Sequence, residues 1–180
     1  MDERGPLDRQ AVHAELERVR SDFHRLLAET SATDLHRPTD GTRWNNEQLL
    51  FHMLFGYMLV RALLPLLGVF ARLPRTVSRT FAGLLNAATA PFHVINYLSS
   101  VTGSRYYNRR RMGAKMDRTV AALHRRLDLE SPASLGRGMH FPPRWDPFFH
   151  DWMTRADLYR YPTRHYDFHH AQLTLGPAHD

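Results

Sequence analysis

The sequence has no cysteine among its 180 residues. That excludes disulfides, thiolate metal sites and a cysteine nucleophile together. Any metal must therefore be held by His, Asp or Glu, and the lack of thiols fits a reducing, cytoplasmic setting. Lysine is nearly missing as well: Lys115 is the only one, so arginine carries the formal charge of +6. We read that bias as the base composition of a GC-rich genome. A basic balance favours anionic ligands, but no stripe of arginine interleaved with aromatics stands out, so nucleic acid is not an expected partner. The opening MDERGPLDRQ lacks the apolar stretch of a secretion signal. There is no internal repeat, no low-complexity tract and no sustained period-two alternation of the kind a strand series requires.

Long apolar runs are also scarce. The one suspect is Leu49 to Leu73, and His52, Arg61, Pro65 and Arg72 interrupt it. Arginine in mid-span costs ~2.5 kcal/mol or more in hydrocarbon. The run is therefore expected to be a core helix, with Leu54, Met58 and Leu66 packed inside protein and no transmembrane span. A peripheral membrane contact through it stays open.

What is present is helical periodicity. Val12, Leu16, Val19, Phe23, Leu26 and Leu27 recur at three- and four-residue spacing within Leu7 to Glu29, one face of a helix. Ser31 to Arg43, with Pro38 and Asp40-Gly41, reads as a loop. A second helix is expected from Asn45 or Asn46, with Asn as cap and Glu47 in the first turn, to about Pro65 or a little beyond. Thr76 to Ser100 reads as weaker helix divided by Pro91 and ended by Thr102-Gly103-Ser104. Arg105 to Leu129 is a strong helix with Met112, Met116, Val120, Leu123 and Leu127 inward. After a loop from Ser131 to Pro147, a last helix is expected to start at Asp146-Pro147 and run to about Leu175. The expected fold is an all-α four-helix bundle, one domain over residues 1–180, with a long, partly helical crossover between its second and third helices (Arg72 to Gly103).

Twelve histidines are many for this length. His13, His24, His36 and His124 sit among charged residues and read as solvated. The run His165-Tyr166-Asp167-Phe168-His169-His170 differs: residues four apart lie about 40° apart around a helix, so His165 and His169 can reach one ion. His52 lies on the strongly apolar helix. It is either a core histidine hydrogen-bonded to a neighbour or a third ligand, because a buried imidazole needs some partner.

Two segments carry a family resemblance. Trp44-Asn45-Asn46-Glu47-Gln48-Leu49-Leu50-Phe51-His52 is similar to the start of the second helix in the DinB-like superfamily: a Trp, a short polar cap, then a helix bearing one His. His165-x-x-x-His169-His170-Ala171-Gln172-Leu173 resembles the family's final motif, with Ala171 where Gly is common. The order and the separation of more than a hundred residues agree, and helix count agrees along nearly the whole chain. The resemblance implies a four-helix bundle whose His52, His165 and His169 bind a divalent ion, zinc or nickel, with His170 in a supporting or surface role. It also implies a thiol-dependent transferase or isomerase, using mycothiol, bacillithiol or glutathione, with mycothiol the natural candidate for a GC-rich source. The rival readings are a non-catalytic bundle that binds a metal or a hydrophobic ligand in regulation or stress response, and a peripheral membrane protein.

The segment Gly138 to Phe149 is rich in aromatics. Either it rims a pocket, with Arg144 and Trp145 binding an anionic substrate or cofactor, or it packs over the bundle end. Asp151 and Asp157 either support packing of the last helix or hydrogen-bond a ligand histidine. The expected associations are a small-molecule substrate and, in assembly, a homodimer.

Overall fold

A computed structural model describes residues 7–175. The chain begins with α1 (Arg9–Glu29), capped by the Asp8 carboxylate, which accepts from the Ala11 N–H. Its buried residues are the six apolar ones picked out by periodicity. A single turn, α2 (Ala32–Leu35), interrupts the expected loop. Next comes α3 (Asn46–Phe70), entered through a reciprocal cap between Asn45 and Gln48. It extends past Pro65 to Phe70.

The crossover consists of two helices, α4 (Arg75–Ala87) and α5 (Thr89–Tyr106). The break falls at Ala88, and Pro91 sits in the first turn of α5, where a missing N–H costs nothing. The expected end at Thr102-Gly103-Ser104 is corrected: α5 runs on to Tyr106. Gly103 is needed there for space, since a Cβ would stand 2.2 Å from the Phe51 ring of α3. In this crossover the buried residues are only Ser78 and Ala82 of α4 and Ser100 and Ser104 of α5, so it lies outside the core as expected.

The helix expected from Arg105 starts later, as α6 (Arg109–Leu129), because Asn108 caps it through the Arg111 N–H. A short α7 (Pro132–Leu135) follows, then strands β1 (Gly138–His140) and β2 (Trp152–Thr154), paired antiparallel with Met139 opposite Met153. The last helix, α8, spans Arg155–His170. The expected start at Asp146-Pro147 is thus corrected. Thr154 and Asp157 form the reciprocal cap, and Asp146 is drawn inward instead. Pro162 lies within α8.

The described chain is mostly helical, and its only sheet has two strands. α3 packs against α8, α5 and α6, while α1 packs against α6 and α8. Leu49, Leu50, Met53, Leu54, Tyr57, Val60, Leu64 and Leu67 of α3 are fully buried. Among the described helices α3 alone is long and apolar enough to cross a membrane. Leu54 is enclosed by protein, and Met58 and Leu66 are half-buried. Between α1 and α6 runs a polar seam: His13 and His124 stack with Nδ1 atoms 2.5 Å apart, and their Nε2 atoms meet Asp128 and Glu17. His24 joins Asp117 of α6 in the same seam. These histidines, expected to be simply solvated, stitch two helices together.

Candidate metal centre

His52 lies one turn and a half into α3, and His165 and His169 lie one turn apart on α8. The close packing of α3 on α8 brings the three rings together, with centroids 4.9 Å (His52–His165), 4.8 Å (His52–His169) and 4.6 Å (His165–His169) apart. One ring nitrogen from each lies within 4.8 Å of the others. A tetrahedral ion with 2.0–2.1 Å bonds would hold such nitrogens roughly 3.3 Å apart. The group could hold a metal ion, and it is the only such group among the described residues.

The close approach depends on Gly56, one turn after His52. A Cβ there would stand 2.7 Å from His165 Nδ1. Trp44 stacks on His52 from the opposite end, with centroids 4.4 Å apart, and its edge meets His169 at 6.3 Å. The Trp that precedes α3 therefore braces two of the three rings.

Hydrogen bonds select the tautomers. The Ser100 hydroxyl donates to the Asn96 carbonyl at 3.1 Å, so toward His52 Nδ1, at 3.2 Å, it acts as acceptor. His52 then carries its proton on Nδ1 and leaves the Nε2 lone pair free. Gln172 Oε1 accepts from His169 Nδ1 at 2.7 Å, with the same result. His165 is not held in this way. Its Nδ1 is buried without a partner, and its Nε2 lies 3.7 Å from Asp146 Oδ2, beyond direct hydrogen-bond reach.

Burial sets the charge states. It pushes His52 down to about 3, with His169 adding to the effect. Burial, then His52 and His169, holds His165 well below the usual histidine range. Burial also lowers His169. All three rings are neutral at pH 7, the form in which imidazole binds metal. Burial raises the Asp146 carboxyl, against hydrogen bonds from the Phe148 N–H and the Tyr161 hydroxyl, each at 2.8 Å.

His52 and His165 form part of the wall of a cavity of about 270 Å³ between α3, α4, α5, α8 and the segment before β2. The wall is mainly apolar, including Phe55, Leu59, Phe81, Phe92 and Phe149, with Asn96, His140, Asp146 and Tyr161 among its polar residues. The aromatic segment after α7 does supply a pocket wall. Trp145 lies flat on Phe92, with centroids 3.9 Å apart, and donates from Nε1 to the Leu85 carbonyl at 2.7 Å. Arg144 is exposed, and its backbone N–H meets Asn86 Oδ1.

Of the two roles open to Asp151 and Asp157, support of the last helix holds for Asp157, which caps α8, while Asp151 meets His140 and neither reaches the clustered histidines. The carboxylate beside the cluster is Asp146. His170 points away, toward Asp22 of α1, 3.4 Å from its Oδ2. Ser100, His140, Asp146 and Tyr161 had not been singled out for the site. His140 and Asp146 both lie inside the conspicuous aromatic segment, and Asp146 was read there only as a helix start.

No curated protein and no solved structure matches this chain. The profile of the DinB superfamily does, over residues 15–173, a span that includes all three clustered histidines and both segments on which the resemblance rested. The chain belongs to the DinB superfamily.

Proposed function

We propose that the protein is a divalent-metal-dependent enzyme whose ion is held by His52, His165 and His169 and whose substrate is an apolar small molecule seated in the adjoining cavity. The observation that carries this reading is the convergence of three neutral imidazoles, two with Nδ1 already committed, on the wall of an apolar cavity. A core that needed only packing would not assemble three buried imidazoles and leave His165 Nδ1 without a partner. The donor set fits zinc or nickel, both of which accept imidazole nitrogen. When bound by three histidines, such an ion lowers the pKa of a thiol or water in the fourth position toward neutrality.

The chain's own groups then have defined tasks. Ser100 and Gln172 fix the tautomers of His52 and His169. Asp146, held by Tyr161 and Phe148, places a carboxylate 3.7 Å from His165 Nε2 and acts on that ring through its charge. Phe55, Phe92 and Phe149 exclude water and bind the substrate's apolar body. With no cysteine in the chain, a reacting thiol must come from a low-molecular-weight cofactor such as mycothiol. On the same segment we assign Arg144 to holding its polar part and Trp145, whose Nε1 is committed to the Leu85 carbonyl, to the apolar wall beside it. The ring of contacts α1–α6–α3–α8 supports reading the scaffold as a four-helix bundle.

The second reading is a non-catalytic binder of a hydrophobic ligand, which the apolar cavity favours. Elemental analysis of the purified protein, then a thiol-conjugation assay with an apolar electrophile, separates them. Expected are one divalent ion per chain, lost on His52→Ala, and conjugation that depends on both ion and thiol. Absence of turnover on any thiol supports the binder, and absence of any stoichiometric ion refutes the metal-dependent enzyme.

A further inference from the structure

The crossover helices expose apolar side chains where a solvated surface would carry polar ones. On α5 the buried residues are Ser100 and Ser104, while Val94, Ile95 and Leu98 are 58%, 64% and 50% exposed. At about 100° per residue these three and Arg105 occupy a single arc of about 100° on the helix. On α4, which packs against α5, Val77 and Leu84 lie seven residues apart on one strip, and Leu84 is 66% exposed. Single exposed aliphatics need no explanation, but a concentration of this kind marks a contact surface.

Charge identifies what covers it. Between Glu47 and Asp117 the sequence contains no acidic residue and nine basic ones, from Arg61 to Lys115. Arg105, on the apolar arc of α5 itself, is exposed. We propose that the outer face of α5, with the neighbouring strip of α4, docks on an anionic lipid bilayer: the aliphatic side chains enter the headgroup–acyl boundary while Arg105, in a segment free of carboxylates, meets lipid phosphate. A second copy of the chain fits less well, because a two-fold interface sets a patch against itself and would bring these cations together without a counter-charge. Nucleic acid would answer the charge but would leave Val94, Ile95 and Leu98 against phosphate. Phe81 and Leu85 of α4 and Phe92 and Asn96 of α5 line the cavity. On α5 the docking face is thus the outer side of a cavity wall, roughly one helix diameter, about 10 Å, from its contents.

The test is sedimentation of the full chain, without added metal, on vesicles of phosphatidylcholine alone and with about one-third phosphatidylglycerol. The wild type should bind the anionic vesicles at least tenfold more tightly than the neutral ones, and raising salt from about 0.1 M to 1 M should weaken binding. The double variant Ile95→Ser with Leu98→Ser, checked for unchanged helix content, should lose binding tenfold or more. Arg105→Glu should weaken binding to anionic vesicles only. No binding to anionic vesicles, equal binding to neutral ones, or full binding by the double variant would overturn the proposal. So would a stable dimer in light scattering that the double variant dissolves.

Discussion

Replacing Gly56 by alanine tests how α3 and α8 build the cluster. The new methyl carbon would stand 2.7 Å from His165 Nδ1 and 3.1 Å from its Cε1, well inside the 3.4 Å at which ordinary contact begins. His165 is 3% exposed and is ringed by His52, His169 and Tyr161, so its ring has little room to retreat. It must move by about 0.7 Å, several times the ±0.2 Å tolerance of a zinc–nitrogen bond. The folded protein itself should suffer less. Overpacking costs about 1–3 kcal/mol, and alanine returns about 1 kcal/mol of helix propensity. The same change at Gly83 of α4, where a Cβ meets nothing within 4 Å, should be neutral or stabilising by up to about 1 kcal/mol.

The assay is thermal unfolding with and without zinc. At a concentration one hundred times the wild-type Kd, zinc stabilises by about 2.7 kcal/mol, or roughly 5–10 °C in Tm for a chain of this size. If Gly56→Ala weakens binding about a hundredfold, the same concentration adds only about 0.4 kcal/mol, near 1 °C. Gly83→Ala should keep the whole shift. A Gly56→Ala protein that folds and retains the full zinc-dependent shift would show that His165 is not held against α3 as described.

Three further outcomes follow. Single changes of His52, His165 or His169 to Ala should each abolish the zinc-dependent rise in Tm, while His170→Ala, directed at Asp22, should preserve it. In metal-free protein, stability should fall as the solution is acidified below about 6.5, because the unfolded chain takes up protons that the folded cluster refuses. For His52 the loss continues down to about 3, at about 1.4 kcal/mol per pH unit for each histidine so affected. A flat denaturation midpoint from pH 7 to 5 would contradict the buried neutral rings. Finally, Glu130→Ala strands the buried Arg155, whose Nη1 donates to both carboxylate oxygens at 2.6 and 2.7 Å. It should cost about 3–5 kcal/mol in urea unfolding and leave zinc affinity in the surviving folded protein unchanged.

The parts of this molecule that could be read from sequence are those in which one physical term dominates. The apolar face of α1 is settled by burial alone, and its six inward residues were legible from spacing. The three clustered histidines were legible because a metal needs particular donors at particular spacings, and because Trp44 and Gln172 lie in the same short segments as His52 and His169. Failures occurred where two rules competed for one residue. Asp146-Pro147 satisfies the local rule for a helix start, but the Asp146 carboxylate is taken by the Tyr161 hydroxyl inside the protein. Helix entry then passes to Thr154 and Asp157, whose spacing carried the same capping signal eight residues later. Ser100 and Gly56 were illegible for a different reason. A serine on a weakly patterned helix, and a glycine inside a strong one, show their purpose only against a histidine on another element. Each is a small residue that admits or orients a ring brought from elsewhere in the chain, so the cluster's precision resides in tertiary complements to the histidines, and substitutions at these small residues test it as directly as removing one of the rings.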